Sequence, residues 1–364
     1  MDRWGVSMRG SAVSREPTAV GQEPSAQGRI SLDLCAAGVP SGVRALTRRI
    51  LTAIQLTRLT MAFGAVADVW LVILLSRALA SEGDAIPVVS MPLVSALALG
   101  AVVAVGLFAY GASLNDVLDA RHDSAFSPER PIPAGRIRAG QAIVVTVGAL
   151  LIAILAAQAM GLLSLQMTLL TAMGILFYNA AGKFIPAAGM ISIGLIHAVH
   201  MFIPNAELGF TWPAWLVMTH AMAIAYGSHL LEGKRPRISR HAAAVILGSW
   251  MTWSGAIIGL GFWREGAWPD RASAVNVLWP ALAVVGFIAV ARWKTIGVSG
   301  AVAAEKLRRY GAMWQALYGS AWLLMLDLRT QAVWLGAFAV LGFSGMTIIK
   351  EVAGQAARRD EFRE

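Results

Sequence analysis

Apolar stretches of roughly 20 residues recur along the chain and alternate with short polar segments. A helix needs about 20 mostly apolar residues to cross a bilayer. Ten segments meet this requirement: 54–78, 92–113, 141–160, 162–179, 186–204, 212–231, 241–262, 274–292, 310–326 and 332–349. Only Gly161 and its neighbours separate the third from the fourth, and Gln315 interrupts the ninth, which could instead be a re-entrant or interfacial helix. The pattern predicts an all-α integral membrane protein, a bundle of nine to ten transmembrane helices.

Composition and charge agree with this prediction. Of the 364 residues, 57% are hydrophobic and 14% are charged, whereas soluble domains carry about 25% charged residues. The net charge of +9 comes from Lys and Arg in short loops, which favours membrane orientation over nucleic-acid binding. With a cytoplasmic N-terminus, 26 of the 30 Lys and Arg residues lie on the cytoplasmic side. We therefore expect a bacterial inner-membrane protein whose central cavity faces the cytoplasm.

The chain divides into three predicted regions. Residues 1–42 are rich in Gly, Ser, Pro and Arg and predict a disordered cytoplasmic tail, although a start site placed too far upstream would give the same pattern. Residues 43–350 form the transmembrane domain, and 351–364 form a charged C-terminal tail. Cys35, the only cysteine, lies in the N-terminal tail, so no disulfide is expected within the chain.

Three carboxylates follow the second apolar segment at regular spacing. Asp116, Asp119 and Asp123 share one face of a helix, and Asn115 joins them. Because three like charges within two turns repel one another, we expect a cation among them. Hard oxygen ligands suit Mg²⁺, which commonly binds carboxylates together with substrate phosphates. The alternative is a solvated acidic helix end, although acids at membrane depth are costly and usually functional.

The wider sequence around these residues resembles a known family. "NDVLDARHD" (115–123), "RPIPAG" (130–135) and Tyr178-Asn179-x-x-x-Lys183 are similar to motifs of the UbiA family of intramembrane prenyltransferases. The resemblance covers residues from about 50 to 350. It is greatest to the UbiA-like branch whose second aspartate motif is degenerate.

The resemblance implies a function and a set of site residues. Asn115 and the three aspartates would hold Mg²⁺ bridged to an allylic diphosphate, and the prenyl group would be transferred to a lipophilic, commonly aromatic, acceptor. The prenyl tail would lie among the helices or in membrane lipid. Lys183 would contact the diphosphate, unless it only anchors the topology. The implied substrate-binding residues at this motif also include Arg58, Arg130, Tyr178 and Asn179.

The second acidic motif of the family is altered. In "AYGSHLLEGKRPRIS" its aspartate pair becomes Ser228 and Glu232. Glu232 would remain a metal ligand or general base, while His229, Lys234 and Arg235 would contact diphosphate oxygens. Alternatively, the cations from 234 to 240 only set topology and the site has decayed. The protein would then be a non-catalytic component that binds or transports lipid diphosphates.

Two histidines on the fifth segment form a second candidate cluster. His197 and His200 share a helix face, where they would line an acceptor pocket or accept a proton. The alternative is a pair of histidines that are hydrogen-bonded inside the bundle. Asp68, in the first segment, is an intramembrane charge with no partner evident from the sequence.

Overall fold

The computed structural model describes residues 52–53, 56–58, 62–81 and 85–361, with side chains as far as 345 and at 348. The predicted N-terminal tail (1–42) lies outside the described residues. The described part consists of helices and their connections and contains no strand, which confirms the all-α prediction.

Eleven α-helices are defined in the described part of the chain. They are α1 (Phe63–Leu79), α2 (Pro87–Ser90), α3 (Leu93–Phe126), α4 (Ala139–Met160), α5 (Leu162–Ala180), α6 (Pro186–Met201), α7 (Trp212–Glu232), α8 (Arg240–Trp263), α9 (Leu278–Thr295), α10 (Gly300–Met325) and α11 (Arg329–Glu361). Short 3₁₀ turns at Gly182–Phe184 and Val275–Val277 precede α6 and α9.

Five of these helical segments are long and apolar enough to cross a membrane: α3, α4, α5, α8, and Val275–Thr295, which includes α9. Helix α6 is a shorter apolar helix of 16 residues. Each of the ten predicted segments overlaps a different α-helix of the described part, among α1 and α3–α11. A multi-pass membrane protein is thus supported, while nine to ten spans stays a prediction.

Glycine and proline account for the helix boundaries that matter for the site. Gly161 has a φ of +120° and separates α4 from α5, as predicted. Gly233, with a φ of +60°, ends α7 directly after Glu232, because glycine adopts this left-handed conformation without steric cost. Pro186 starts α6, where its missing N–H leaves no helical hydrogen bond unmade.

Helix α3 carries the first acidic motif beyond the expected membrane core. Its 34 residues correspond to about 51 Å at 1.5 Å per residue, well over the roughly 30 Å of a hydrocarbon core. The surplus length lies at the C-terminal end, which contains Asp116, Asp119 and Asp123. The same end of the bundle includes the C-termini of α5 and α7.

Helix α10 differs from its prediction. We expected a span from 310, preceded by a cationic loop, but the helix begins at Gly300 and is continuous through Gln315. The preceding residues "AVAAEKLRR" are mostly strong helix formers, so the polar segment extends the helix by about three turns. The Gln315 Nε2 lies 3.1 Å from the His197 Nδ1, so this polar residue is satisfied inside the bundle.

Close helix contacts hold this arrangement together. A Cβ added to Gly106 of α3 would lie 2.9 Å from both the Ala149 carbonyl oxygen and the Ala153 Cβ of α4. Small residues at such crossings let helix backbones approach closely in membrane proteins. Asp68 is buried in α1, and neither carboxyl oxygen has a hydrogen-bond partner among the described residues.

Candidate active site

Two arginines hold the first and last aspartates of the array. The Arg58 Nη2 lies 2.9 Å from the Asp116 Oδ1. The Arg130 Nη1 lies 2.6 Å from the Asp123 Oδ2 and 3.4 Å from the Asp116 Oδ1. Both carboxylates are buried, and these charge-assisted contacts offset part of the hydration that burial removes. Arg58 also has a φ of +48°, a conformation that costs a non-glycine residue about 1–2 kcal/mol.

Lys183 joins the middle of the array to the α5–α6 connection. Its Nζ lies 2.6 Å from the Asp119 Oδ1 and donates a 3.2 Å hydrogen bond to the Asn115 Oδ1. The 3₁₀ turn Gly182–Phe184 presents this lysine. Two sequence motifs 64 to 68 residues apart therefore meet in space.

The "RPIPAG" segment folds back along the end of α3. The Ser127 N–H caps the helix by donating to the Asp123 carbonyl, and the Arg130 N–H donates to the Ser127 carbonyl. The turn closes when the Ala134 N–H donates to the Arg130 carbonyl, and Gly135 has a φ of +67°. These local bonds explain how Arg130 reaches a carboxylate seven residues earlier.

The protein itself supplies the cations that the repulsion among these aspartates predicts. Three cations from the protein, Arg58, Arg130 and Lys183, balance the three aspartates, so their repulsion requires no bound metal for compensation. Among the described residues, no group of three or more His, Cys, Asp or Glu side chains is close enough to hold a metal ion. The oxygen ligands present still fit Mg²⁺. One pair of carboxylates, Asp116 and Asp123, shares the Arg130 guanidinium. The Asp119 carboxylate shares the Lys183 ammonium with the Asn115 amide oxygen.

A cavity of about 350 Å³ adjoins the array and runs into the bundle. Arg58, Asn115, Tyr178 and Asn179 line its polar end. The middle is apolar and is lined by residues of α3, α5 and α6: Ala104, Leu107, Phe108, Gly111, Ile175 and Ile196. On α3 the lining extends from Ala104 to Asn115, a rise of about 16 Å along the helix. An elongated apolar group with one anionic end matches this shape.

The far end of the cavity is polar again. His197 and His200 both line it, so the predicted shared face points into the cavity. His200 is buried, and its Nε2 has no hydrogen-bond partner among the described residues. Another buried histidine, His220, lies outside this lining and contacts the Gly311 carbonyl and the Tyr318 hydroxyl at 3.1 and 3.2 Å.

The altered second motif forms a separate ion-pair cluster. The Glu232 Oε1 lies 2.6 Å from the Arg308 NH1, and its Oε2 lies 2.7 Å from the Lys234 Nζ. Glu232 lies just beyond the predicted span 212–231. Burial raises the pKa of this carboxyl, but hydrogen bonds and charges from Lys234 and Arg308 outweigh burial and hold the pKa below its ordinary value. Glu232 is therefore ionised near neutral pH.

Three cations from different elements line a smaller pocket of about 150 Å³, which we call the basic pocket. It is lined by Tyr178, Lys183, Ser228, His229, Lys234 and Arg308, among others. Tyr178 also lines the apolar cavity, so the two spaces are adjacent. The His229 Nε2 lies 3.2 Å from the Pro236 carbonyl oxygen.

The structure brings most of the predicted site residues to one end of the bundle, with one exception and one addition. Arg235 is exposed and does not line the apolar cavity or the basic pocket. Arg308 lies before the predicted span 310–326 but belongs to α10, where it pairs with Glu232 and lines the basic pocket. The helix-forming sequence before 310 was the signal that would have identified it.

Comparison with known proteins places these motifs in context. The chain matches no protein-family model. It is 27% identical over 140 residues to digeranylgeranylglyceryl phosphate synthase of Sulfurisphaera tokodaii, a match that covers 38% of this chain and 47% of that relative. The chain thus matches about half the length of that curated relative.

One solved structure shares the architecture. A structure described as digeranylgeranylglyceryl phosphate synthase in membranes aligns with this chain with a TM-score of 0.51 at 15% identity. The alignment covers 76% of this chain and 97% of that chain. A UbiA homolog from Archaeoglobus fulgidus bound to GPP and Mg²⁺ aligns with a TM-score of 0.40 at 12% identity, over 82% and 99% of the two chains. The curated relative and the first of these folds confirm the resemblance inferred from the motifs.

Proposed function

We propose that this chain is a UbiA-family prenyltransferase that moves a prenyl group from an allylic diphosphate to an acceptor at the membrane. One observation carries the proposal: Lys183 contacts Asn115 and Asp119, so the two motifs of the resemblance form one polar site. That site adjoins a cavity with an apolar middle, which suits a prenyl tail.

The polar end of the donor lies at the first acidic motif. Asn115, Asp116, Asp119 and Asp123 would hold Mg²⁺, which supplies electrostatic stabilisation to the leaving diphosphate. Lys183 is also placed to donate hydrogen bonds to diphosphate oxygens, since ammonium groups bind phosphate as point charges. Arg58 and Arg130 supply two further cations at the same place.

The chemical step breaks the bond between C1 of the prenyl group and the diphosphate oxygen. The bonding electrons leave with the diphosphate, whose added charge the nearby cations stabilise. The resulting allylic cation forms a bond to a nucleophilic atom of the acceptor. The acceptor then loses one proton, which the released diphosphate can accept. The side chains around the cavity orient the donor and exclude water from the cation.

The acceptor is either aromatic or a phosphate-bearing lipid. The motif resemblance favours an aromatic ring, whereas the name of the curated relative points to a glyceryl phosphate lipid. A lipid acceptor would reach the site from the bilayer, and the basic pocket beside the array offers cations for its phosphate. A bacterial inner membrane, with the site on the cytoplasmic side, is the setting that the charge distribution favours.

A second candidate function is non-catalytic binding or transport of lipid diphosphates. The observation that favours it is Ser228, which stands where the family motif has an acid. The two functions share diphosphate binding and differ only in whether the C1–O bond breaks.

Release of diphosphate from geranyl diphosphate tests the proposed function. Purified protein in detergent with Mg²⁺ should release diphosphate on multiple turnovers when membrane lipid extract supplies the acceptor. Asp119→Asn should abolish release, while Asp270→Asn, an exposed acid in the α8–α9 connection, should not alter it. Tight binding without release by the wild-type protein would instead support the non-catalytic candidate.

A further inference from the structure

The basic pocket has the features of an anion site that needs no metal. Lys183, Lys234 and Arg308 come from the α5–α6 connection, the α7–α8 loop and α10, and all three line it. Cations that converge from three elements are more selective for a ligand than cations along a single loop. Phosphate oxygens are the ligands that such lysine and arginine groups bind most readily.

Ser228 gives independent support for a ligand in the pocket. Its side chain is buried, with 4% of its surface exposed, and lines the pocket. The Ser228 Oγ has no hydrogen-bond partner among the described residues. Buried hydroxyls are normally satisfied, and an unmade hydrogen bond destabilises the protein. An anionic oxygen in the pocket would accept a hydrogen bond from this hydroxyl.

The carboxylate of Glu232 is poorly placed for a metal. Its two oxygens already contact Arg308 and Lys234 at 2.6 and 2.7 Å. A divalent cation there would be close to both of these positive groups. Glu232 instead holds two long cationic side chains at the edge of the pocket, where both stay partly exposed to a ligand.

We infer that the basic pocket binds a phosphate group of a substrate directly through Ser228, Lys234 and Arg308, and that Glu232 positions the two cations rather than binding metal. The inference rests on the proposed function, because the substrates it considers are those of prenyl transfer. The phosphate belongs either to the donor diphosphate or to a phosphate-bearing acceptor lipid.

Ligand binding in EDTA is the direct test. Affinity of the purified protein for geranyl diphosphate, and separately for a glycerol phosphate ether lipid, is measured in EDTA at fixed salt. Arg308→Ala should weaken binding of at least one probe about tenfold, since a hydrogen bond to a charged group is lost, and Arg308→Lys should partly restore it. The probe that responds identifies the substrate that carries the phosphate.

Glu232→Gln distinguishes a residue that positions the cations from a metal ligand, because the two roles predict opposite changes in affinity. If Glu232 positions the cations, the Gln side chain can still contact them but no longer competes with the anion for their charge, so metal-free binding should tighten severalfold, a gain that misfolding cannot produce. If Glu232 is a metal ligand, the same variant should weaken Mg²⁺-dependent binding and leave metal-free binding unchanged, which would overturn the inference.

Arg237→Ala is the matched control for net charge. Arg237 is an exposed cation of the α7–α8 loop that does not line the basic pocket. Its removal should leave metal-free binding within twofold. An effect as large as that of Arg308→Ala would show that the general field of the loop attracts the anion, and the pocket assignment would fail. Loss of Mg²⁺-dependent binding in Asp119→Asn, read separately, reports on the proposed function alone.

Discussion

Asp119 and Lys183 form the contact between the two motifs that define the donor site. Asp119 is also the only aspartate of the array bound to the lysine rather than to an arginine. In the proposed complex the Asp119 carboxylate binds Mg²⁺ and the Lys183 ammonium binds the diphosphate. A substitution of Asp119 should therefore act on the Mg²⁺-dependent part of diphosphate binding.

Asp119→Asn is expected to lower Mg²⁺-dependent affinity for geranyl diphosphate by at least tenfold, because one carboxylate ligand becomes a neutral amide. Isothermal titration with and without Mg²⁺ measures the change, and size-exclusion chromatography confirms that the variant is intact. Asp270→Asn, at an exposed position, is the control. Equal affinity of wild type and Asp119→Asn in Mg²⁺ would contradict the assigned role.

His200→Leu is expected to change donor preference. An imidazole nitrogen without a partner at the end of the cavity disfavours an apolar chain that reaches it, by about 1–3 kcal/mol. The variant should therefore raise kcat/KM for a C20 donor relative to a C10 donor by about tenfold. His220→Leu alters a buried histidine outside the cavity lining and should leave this ratio unchanged. An unchanged ratio in His200→Leu would show that the donor tail does not reach His200.

Sequence patterns predicted which site residues lie together where all of them belong to one helix. Asp116, Asp119 and Asp123 share a face because helical periodicity places them there, and the prediction needed no tertiary information. The partners of these acids could not be predicted in the same way. Arg58 reaches Asp116 across 58 residues through a left-handed backbone conformation, which the sequence does not signal.

Helix α3 positions the acidic array, and its contact with α4 holds it in place. Gly106 faces a backbone carbonyl of α4 with no room for a methyl group, whereas Gly148 of α4 has no atom within 4 Å of an added Cβ. Identical Gly→Ala substitutions on the two neighbouring helices should therefore have opposite effects.

Gly106→Ala is expected to lower the thermal unfolding midpoint in detergent by several degrees, because the added methyl forces α3 and α4 apart at a cost of about 1–3 kcal/mol. Gly148→Ala should leave the midpoint unchanged or raise it, since alanine favours helix by about 1 kcal/mol. Both proteins are compared at matched detergent and salt. Equal destabilisation by the two substitutions would contradict the described α3–α4 packing.

Helix α10 shows where element prediction failed and why. The membrane pattern detects apolar length, so it placed the start of this helix at the first apolar residues near 310. The helix propensity of the preceding residues extends the helix back to Gly300. Several of these residues are charged, so a search for apolar stretches does not include them. The residues before and after that boundary belong to one continuous helix of 26 residues, about seven turns, which holds Arg308 beside Glu232.

The candidate site lies at one end of the bundle in the described part of the chain. The array, Lys183 and the basic pocket all lie where α3, α5 and α7 end. The charge bias of the loops predicts that this end faces the cytoplasm. Loop 264–274, at the other end of α8, would then face outward.

Cysteine labelling in intact cells tests this orientation. In a Cys35→Ser background, Arg237→Cys should resist a membrane-impermeant maleimide until the membrane is permeabilised, because its loop lies on the cytoplasmic side. Asp270→Cys should label without permeabilisation. Both positions are exposed, so burial does not limit the reaction. The reverse labelling pattern would place the site on the outer face.

Formation of a prenylated product tests the central claim most directly. Purified protein is incubated with geranyl diphosphate, Mg²⁺ and membrane lipid extract, and the lipids are then analysed by mass spectrometry. We predict an acceptor that gains one geranyl group in place of a proton, in step with diphosphate release, with wild-type protein and with Asp270→Asn but not with Asp119→Asn. Mg²⁺-dependent binding of geranyl diphosphate by the wild-type protein with no diphosphate release and no geranylated product would contradict the account.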